Sequence, residues 1–121
     1  GDVLMPRRDR LYAADEVTTE KEMQASIVKA AKEWGWLVYY DTVPFRSVPG
    51  WPDLVLLHRE KKRILIWELK TAHGILSAAQ AEWLDAWKEI LGAIVSPAPG
   101  DHVSVGVITP ANLEEAYRLL A

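Results

Sequence analysis

Cysteine is absent from all 121 residues, so neither a disulfide framework nor a thiolate zinc site is available. The three histidines, His58, His73 and His102, are scattered without ligand spacing. Any metal must therefore be held mainly by oxygen. No apolar run approaches the roughly 18 residues of a membrane span, and charges stand where a secretory leader needs an apolar stretch. The expected location is the reducing cytoplasm. Excess positive charge is also missing: 14 Lys and Arg against 17 Asp and Glu leave a formal charge of −3. At face value that argues against a partner as acidic as DNA. Carboxylates gathered around a cation would weaken the objection, because the ion reverses their local sign. Basic residues do cluster, at Arg7, Arg8 and Arg10, at Arg46, and at Arg59, Lys61, Lys62 and Arg63. Charge alone leaves the partner open.

Half the residues are apolar, enough for one core and too few residues for two ordinary domains. Residues 1–17 are polar, contain a proline and have no sustained period, so they read as an N-terminal arm preceding a domain over 18–121. Thr19 with Glu22 forms a capping box, and Met23, Ile27, Ala31 and Trp34 recur at helical spacing until Gly35. WLVYYD reads as a strand and TVPFRSVPGWP as a turn-rich loop. The runs at 53–58 and 64–70, joined by the charged linker REKKR, read as a hairpin of two buried strands. That linker is expected to be a solvated turn that discourages edge pairing. Ser77 with Gln80 makes a second capping box, opening a helix with a stripe of Trp83, Leu84, Trp87 and Leu91 that ends at Gly92. AIVS and HVSVGVI read as strands separated by the turn PAPGD, and Thr109 with Pro110 starts a last helix. The expected order is αβββαββα, an α/β fold with a central mixed sheet flanked by helices.

Side chains alternate along a strand, so Ile64, Ile66, Glu68 and Lys70 share one face while Leu65, Trp67 and Leu69 share the other. A carboxylate and an ammonium on a buried strand lose hydration, and such groups persist when paired, metal-bound or used. Asp53 opens the neighbouring strand just after Pro52. If the hairpin pairs, Asp53 and Glu68 lie close together at one end of the sheet. Two such carboxylates repel unless one is protonated or a cation sits between them. Mg²⁺ or Mn²⁺ is the hard ion this donor set favours, and it can acidify water and polarise a phosphodiester. Lys70 beside it can orient or deprotonate the nucleophile, or offset developing charge.

PGWPDLVLL, then LIWELK, then LSAAQAEWL resembles the VRR-NUC family of the PD-(D/E)xK nuclease superfamily, over about Thr19 to Gly92. The resemblance implies a restriction-endonuclease-like domain and a metal-dependent nuclease, with branched DNA such as four-way junctions as a substrate. It implies that Asp53 and Glu68 are metal ligands, that the Leu69 backbone carbonyl is a third, and that Lys70 is catalytic. The compact size would suit a phage or bacterial enzyme. The family also places a glutamate on its first helix. At about 100° per residue, Glu20 falls with Gln24, Ile27, Ala31 and Trp34 on the stripe facing the sheet, whereas Glu22 points away. Glu20 is therefore the expected additional ligand, through water, against the simpler role of an acid favoured by the helix dipole.

Gln80 reads two ways, as capping-box partner of Ser77 and as a site residue bonding the scissile phosphate or its water. Arg46 can clamp a phosphate from the loop or simply be solvated. Trp51 replaces the smaller aliphatic residue usual in the family's loop, and either packs on the core or stacks on a base. Since the domain is small and carries no recognition module, a homodimer presenting two sites to branched DNA is expected. The alternative is a catalytically inactive nucleic-acid or protein interaction module that retains the nuclease fold.

Overall fold

A computed structural model describes residues 19–40, 48–95 and 102–121. The N-terminal arm, Arg46 and the PAPGD turn lie outside these residues. Helix α1 (Glu20–Glu33) starts where Thr19 turns extended and its Oγ1 accepts the Glu22 N–H at 3.0 Å. It stops where Gly35 takes φ +87°, a left-handed conformation that lets the Trp36 N–H reach back to the Ala31 carbonyl. Four strands follow the hairpin logic of the sequence: β1 (Leu37–Tyr40), β2 (Leu54–His58) and β3 (Arg63–Leu69) run as an antiparallel meander. The fourth, β4 (Val103–Ile108), lies parallel to β3 at the other edge. Parallel neighbours need a crossover, and α2 (Ala78–Val95) provides it. A 3₁₀ turn (Pro110–Asn112), capped by Thr109 Oγ1 on the Ala111 N–H, leads into α3 (Leu113–Leu120).

The result is an α/β domain with a four-stranded mixed sheet and three helices among the described residues. The order is one strand short of the αβββαββα expected. The segment read as a strand at AIVS instead prolongs α2 through Val95. Gly92 looked like a stop signal, but it lacks the positive φ of Gly35 and Gly50 and stays helical, in open space. The intrinsic penalty of a helical glycine, about 1 kcal/mol, is too small to end a helix that is otherwise anchored by packing.

One face of the sheet makes the dry core. Leu54, Leu56, Leu65, Trp67 and Leu69 are essentially solvent-free and pack with Met23, Ile27, Ala30 and Ala31 of α1 and Leu113, Ala116 and Leu120 of α3. Each such side chain contributes roughly 1.5–3 kcal/mol of transfer free energy. The polar atoms taken along are matched: Ser26 bonds the Tyr117 hydroxyl, and Trp67 Nε1 donates to Ser104 Oγ at 3.0 Å. The C-terminus of α3 is held by donors from elsewhere. Trp36 Nε1 reaches the Leu120 carbonyl at 2.9 Å, an Arg63 guanidinium N–H the Leu119 carbonyl at 2.9 Å, and Lys61 Nζ the Ala121 carbonyl at 2.5 Å. The linker REKKR is thus more than a solvated turn, since two of its cations satisfy helix-end carbonyls where the dipole is negative. No helix of the described residues is long and apolar enough to cross a membrane.

Candidate active site

The opposite face of the sheet carries the charged residues, and a glycine decides how the chain reaches them. Gly50 has φ +87°, and a Cβ there would fall 2.4 Å from the Ala79 carbonyl oxygen and 2.8 Å from Trp83 Cδ1. Only glycine lets the loop lie this close to the first turn of α2. Trp51 then packs edge-on to Trp83 and Trp87, with centroids 5.1 Å and 5.8 Å away, and more loosely to Tyr39 at 6.4 Å. Trp51 is therefore part of an aromatic cluster that pins the loop between β1 and α2. The helical stripe Trp83/Trp87 was the sequence signal for half of that cluster, whereas Tyr39 came from a strand with nothing to mark it. Buried Pro52 follows, and the next residue is Asp53.

Asp53 sits just before β2, and its Oδ2 accepts the backbone N–H of Leu69 at 2.8 Å. This bond extends the β2/β3 ladder by one side-chain rung beyond the Leu54–Trp67 pair. It fixes the Asp53 carboxylate beside Glu68. Glu68 is 1% exposed. Its Oε1 accepts from Gln80 Nε2 at 3.1 Å, while Oε2 is buried with no hydrogen-bond partner. Burial and the Asp53 carboxylate beside it push the Glu68 carboxyl up to about 9, against the opposing pull of Lys70. At neutral pH the site without a cation keeps Glu68 protonated.

Gln80 does both things its position allows. Its Oε1 accepts the Ser77 N–H at 2.9 Å while Ser77 Oγ accepts the Gln80 N–H at 3.1 Å, a complete capping box. Its amide nitrogen is left to hold Glu68. The start of α2 and the orientation of the buried acid are thus set by one side chain. Lys70 leaves the end of β3 on the same face, with its Nζ 3.9 Å from Glu20 Oε1, the lysine 16% and the glutamate 48% exposed. The helical-wheel choice of Glu20 over Glu22 agrees with this contact, both glutamates being exposed. His73 is an exposed loop residue.

Asp53, Glu68, Lys70, Glu20 and Gln80 therefore converge, Trp51 lies behind them in the aromatic cluster, and Arg46 falls outside the described residues. Among the described residues no three acids or histidines form a ready-made metal cage. No protein-family model, curated protein or solved structure matches the chain. Two features of the site's geometry fit a hard divalent cation: a buried carboxylate oxygen without a partner, and a second carboxylate, Asp53, set beside it.

Proposed function

We propose that this chain is a Mg²⁺- or Mn²⁺-dependent nuclease of the VRR-NUC type, hydrolysing DNA phosphodiester bonds with a restriction-endonuclease-like fold. The observation that carries the reading is the unpartnered Oε2 of Glu68, buried beside Asp53 with Lys70 at the strand's open end. A structural salt bridge alone would not explain it, because Lys70 reaches toward the exposed Glu20 and leaves Oε2 of the buried acid without a partner.

Asp53 and Glu68 would hold the ion. The Leu69 carbonyl is the natural third donor, since a strand residue sends its N–H and C=O toward the same side and the Leu69 N–H already faces Asp53. Glu20 stands at the mouth, where it can contribute through water. When bound, the cation supplies a Lewis acid for the phosphodiester and lowers the pKa of a water molecule. Gln80 keeps Glu68 oriented through its amide, and Glu20 keeps Lys70 extended toward the opening. Lys70 can then take up the nucleophile's proton or steady charge on the phosphate. Branched DNA such as a four-way junction is the proposed substrate, acted on by a homodimer, with Arg46 as a further phosphate contact. Trp51 would act on DNA mainly by fixing the loop that delivers Asp53.

Incubation with junction, flap, single-stranded and duplex DNA in Mn²⁺ tests the proposal. Cleavage by the parent and its loss in Glu68→Ala and Lys70→Ala are expected; no cleavage of any substrate, or equal cleavage by the variants, ends it. The second reading, a binding module that keeps the fold without the chemistry, is favoured by the −3 charge and the lack of a ready-made cage among the described residues. Calorimetry separates the two. Mn²⁺ binding that vanishes in Asp53→Ala supports the nuclease, and no binding to the parent supports the module.

A further inference from the structure

The two most exposed large apolar side chains among the described residues are Ile75, at 87%, and Val48, at 59%. Both stand on loops that frame the acid site. Val48 belongs to the loop that delivers Asp53. Its carbonyl accepts the Trp51 N–H at 3.0 Å, in the turn whose Gly50 lies against Ala79 in the first turn of α2. Ile75 belongs to the loop that leaves Lys70. There the Gly74 N–H donates to the Thr71 carbonyl at 3.1 Å, and the turn is laid along the lysine, since a Cβ on Gly74 would fall 3.1 Å from Lys70 Cδ. Just beyond Ile75, the Ser77–Gln80 capping box fixes the start of α2. Ile75 is thus presented from a short segment tied down at both ends. The fold itself makes no use of its side chain. An apolar residue directly before a helix cap often packs back on the first turn, and that position is filled by the half-buried Leu76. Exposed turn positions otherwise favour Gly, Asn, Asp or Ser over a β-branched aliphatic. A lone surface isoleucine is ordinary, but this one is held beside the lysine that a phosphodiester would approach.

We propose that Ile75 is an apolar wedge that packs against unstacked bases next to the scissile phosphate, with Val48 a lesser contact from the other loop. The inference rests on the nuclease reading and names the feature of DNA that the site selects. An aliphatic side chain entering a base stack gains by burying its surface and loses by separating the bases. In continuous duplex the gain and the cost are of similar size. Where bases are already unstacked, at a branch point or an unpaired bulge, the burial is gained without the cost. The wedge therefore converts exposed apolar surface into a preference for interrupted DNA. It makes no hydrogen bond to a base edge, so the preference is for structure and not for sequence.

The test reads binding apart from cutting. Fluorescence anisotropy in Ca²⁺ gives the dissociation constants of a four-way junction, a duplex with an unpaired bulge and a continuous duplex of the same sequence. The parent should bind the junction and the bulged duplex more tightly than the continuous one. In Ile75→Ser that preference should shrink at least about 10-fold, and in Val48→Ser about 3-fold. Ile75→Leu should restore it, and Ile90→Ser, at an exposed position on α2, should leave it unchanged. A parent with no preference, a preference that survives Ile75→Ser, an equal loss on all three DNAs, or failure of Ile75→Leu to rescue each overturns the wedge. Unfolding of Ile75→Ser, read by circular dichroism, would assign the side chain to the fold and overturn it as well. A parent whose preference depends on Ile75 but that cuts nothing in Mn²⁺ keeps the wedge and removes the nuclease. A parent that cuts the junction no better than Ile75→Ser does keeps the nuclease and removes the wedge.

Discussion

The two faces of the sheet are made from the same strands and serve opposite ends. Toward α1 and α3, Leu54, Leu56, Leu65, Trp67 and Leu69 are buried without a charge among them. Toward α2, the alternate residues include Glu68 with Asp53 beside it, and the covering is an aromatic loop cluster with one fully unmatched carboxylate oxygen. Strand β3 contributes to both, with Trp67 and Glu68 adjacent in sequence and about equally buried. Burial of a tryptophan is a gain in free energy, whereas burial of an acid is a cost that only a proton or a cation relieves. The core face therefore stabilises the fold, while the other face carries the cost of a buried acid.

The largest effect is expected on the core face. Trp67→Ala should cost about 4 kcal/mol in equilibrium denaturation. Whatever fraction remains folded should bind Mn²⁺ as the parent does; a loss of metal affinity in the folded fraction would mean the faces are not separable.

Next comes Glu68→Gln, which should stabilise the metal-free protein. The Glu68 carboxyl lies near 9 when folded and at 4.5 when not, so the native state holds a proton that the unfolded chain releases between those values. Stability of the parent in chelator should then fall as pH rises across that window, with a slope approaching about 1.4 kcal/mol per pH unit. It is fully retained below the lower value. Gln cannot titrate, so its denaturation midpoint should lack this slope and exceed the parent's increasingly toward pH 8, with cleavage abolished. Parallel pH profiles for the two proteins would contradict a protonated Glu68 in the native state.

The smallest effect is expected at the hinge between the faces, in Gln80→Ala. Removing the side chain loses one capping bond and the hold on Glu68, about 1–2 kcal/mol of stability. Its diagnostic is a weakened Mn²⁺ affinity in calorimetry that Gln80→Glu does not restore, since a second acid cannot donate to Glu68. Unchanged affinity in Gln80→Ala would reduce the residue to a helix cap.

Much of this was legible beforehand. The capping residues Thr19 and Ser77, the stop at Gly35, the β2/β3 hairpin and the segregation of Glu68 from Trp67 follow from periodicities that operate within a few residues. The extension of α2 past Gly92 was not legible, because a glycine's local preference is weaker than helix packing. The roles of Arg63 and Lys61 at the end of α3 were equally hidden, since the carbonyls they satisfy lie 56 and 60 residues away.

By itself the amino-acid sequence determined which residues carry charge, which strand they occupy and which side of it they leave from, since backbone stereochemistry imposes alternation without reference to the rest of the chain. Only the tertiary structure decided that Asp53 would bond the Leu69 N–H, that Gln80 would hold Glu68, and that Lys70 would face Glu20 rather than the acid two residues before it. The reason is hydration: a carboxylate's need for a partner is set by what packs over it, and that is a property of the assembled layers.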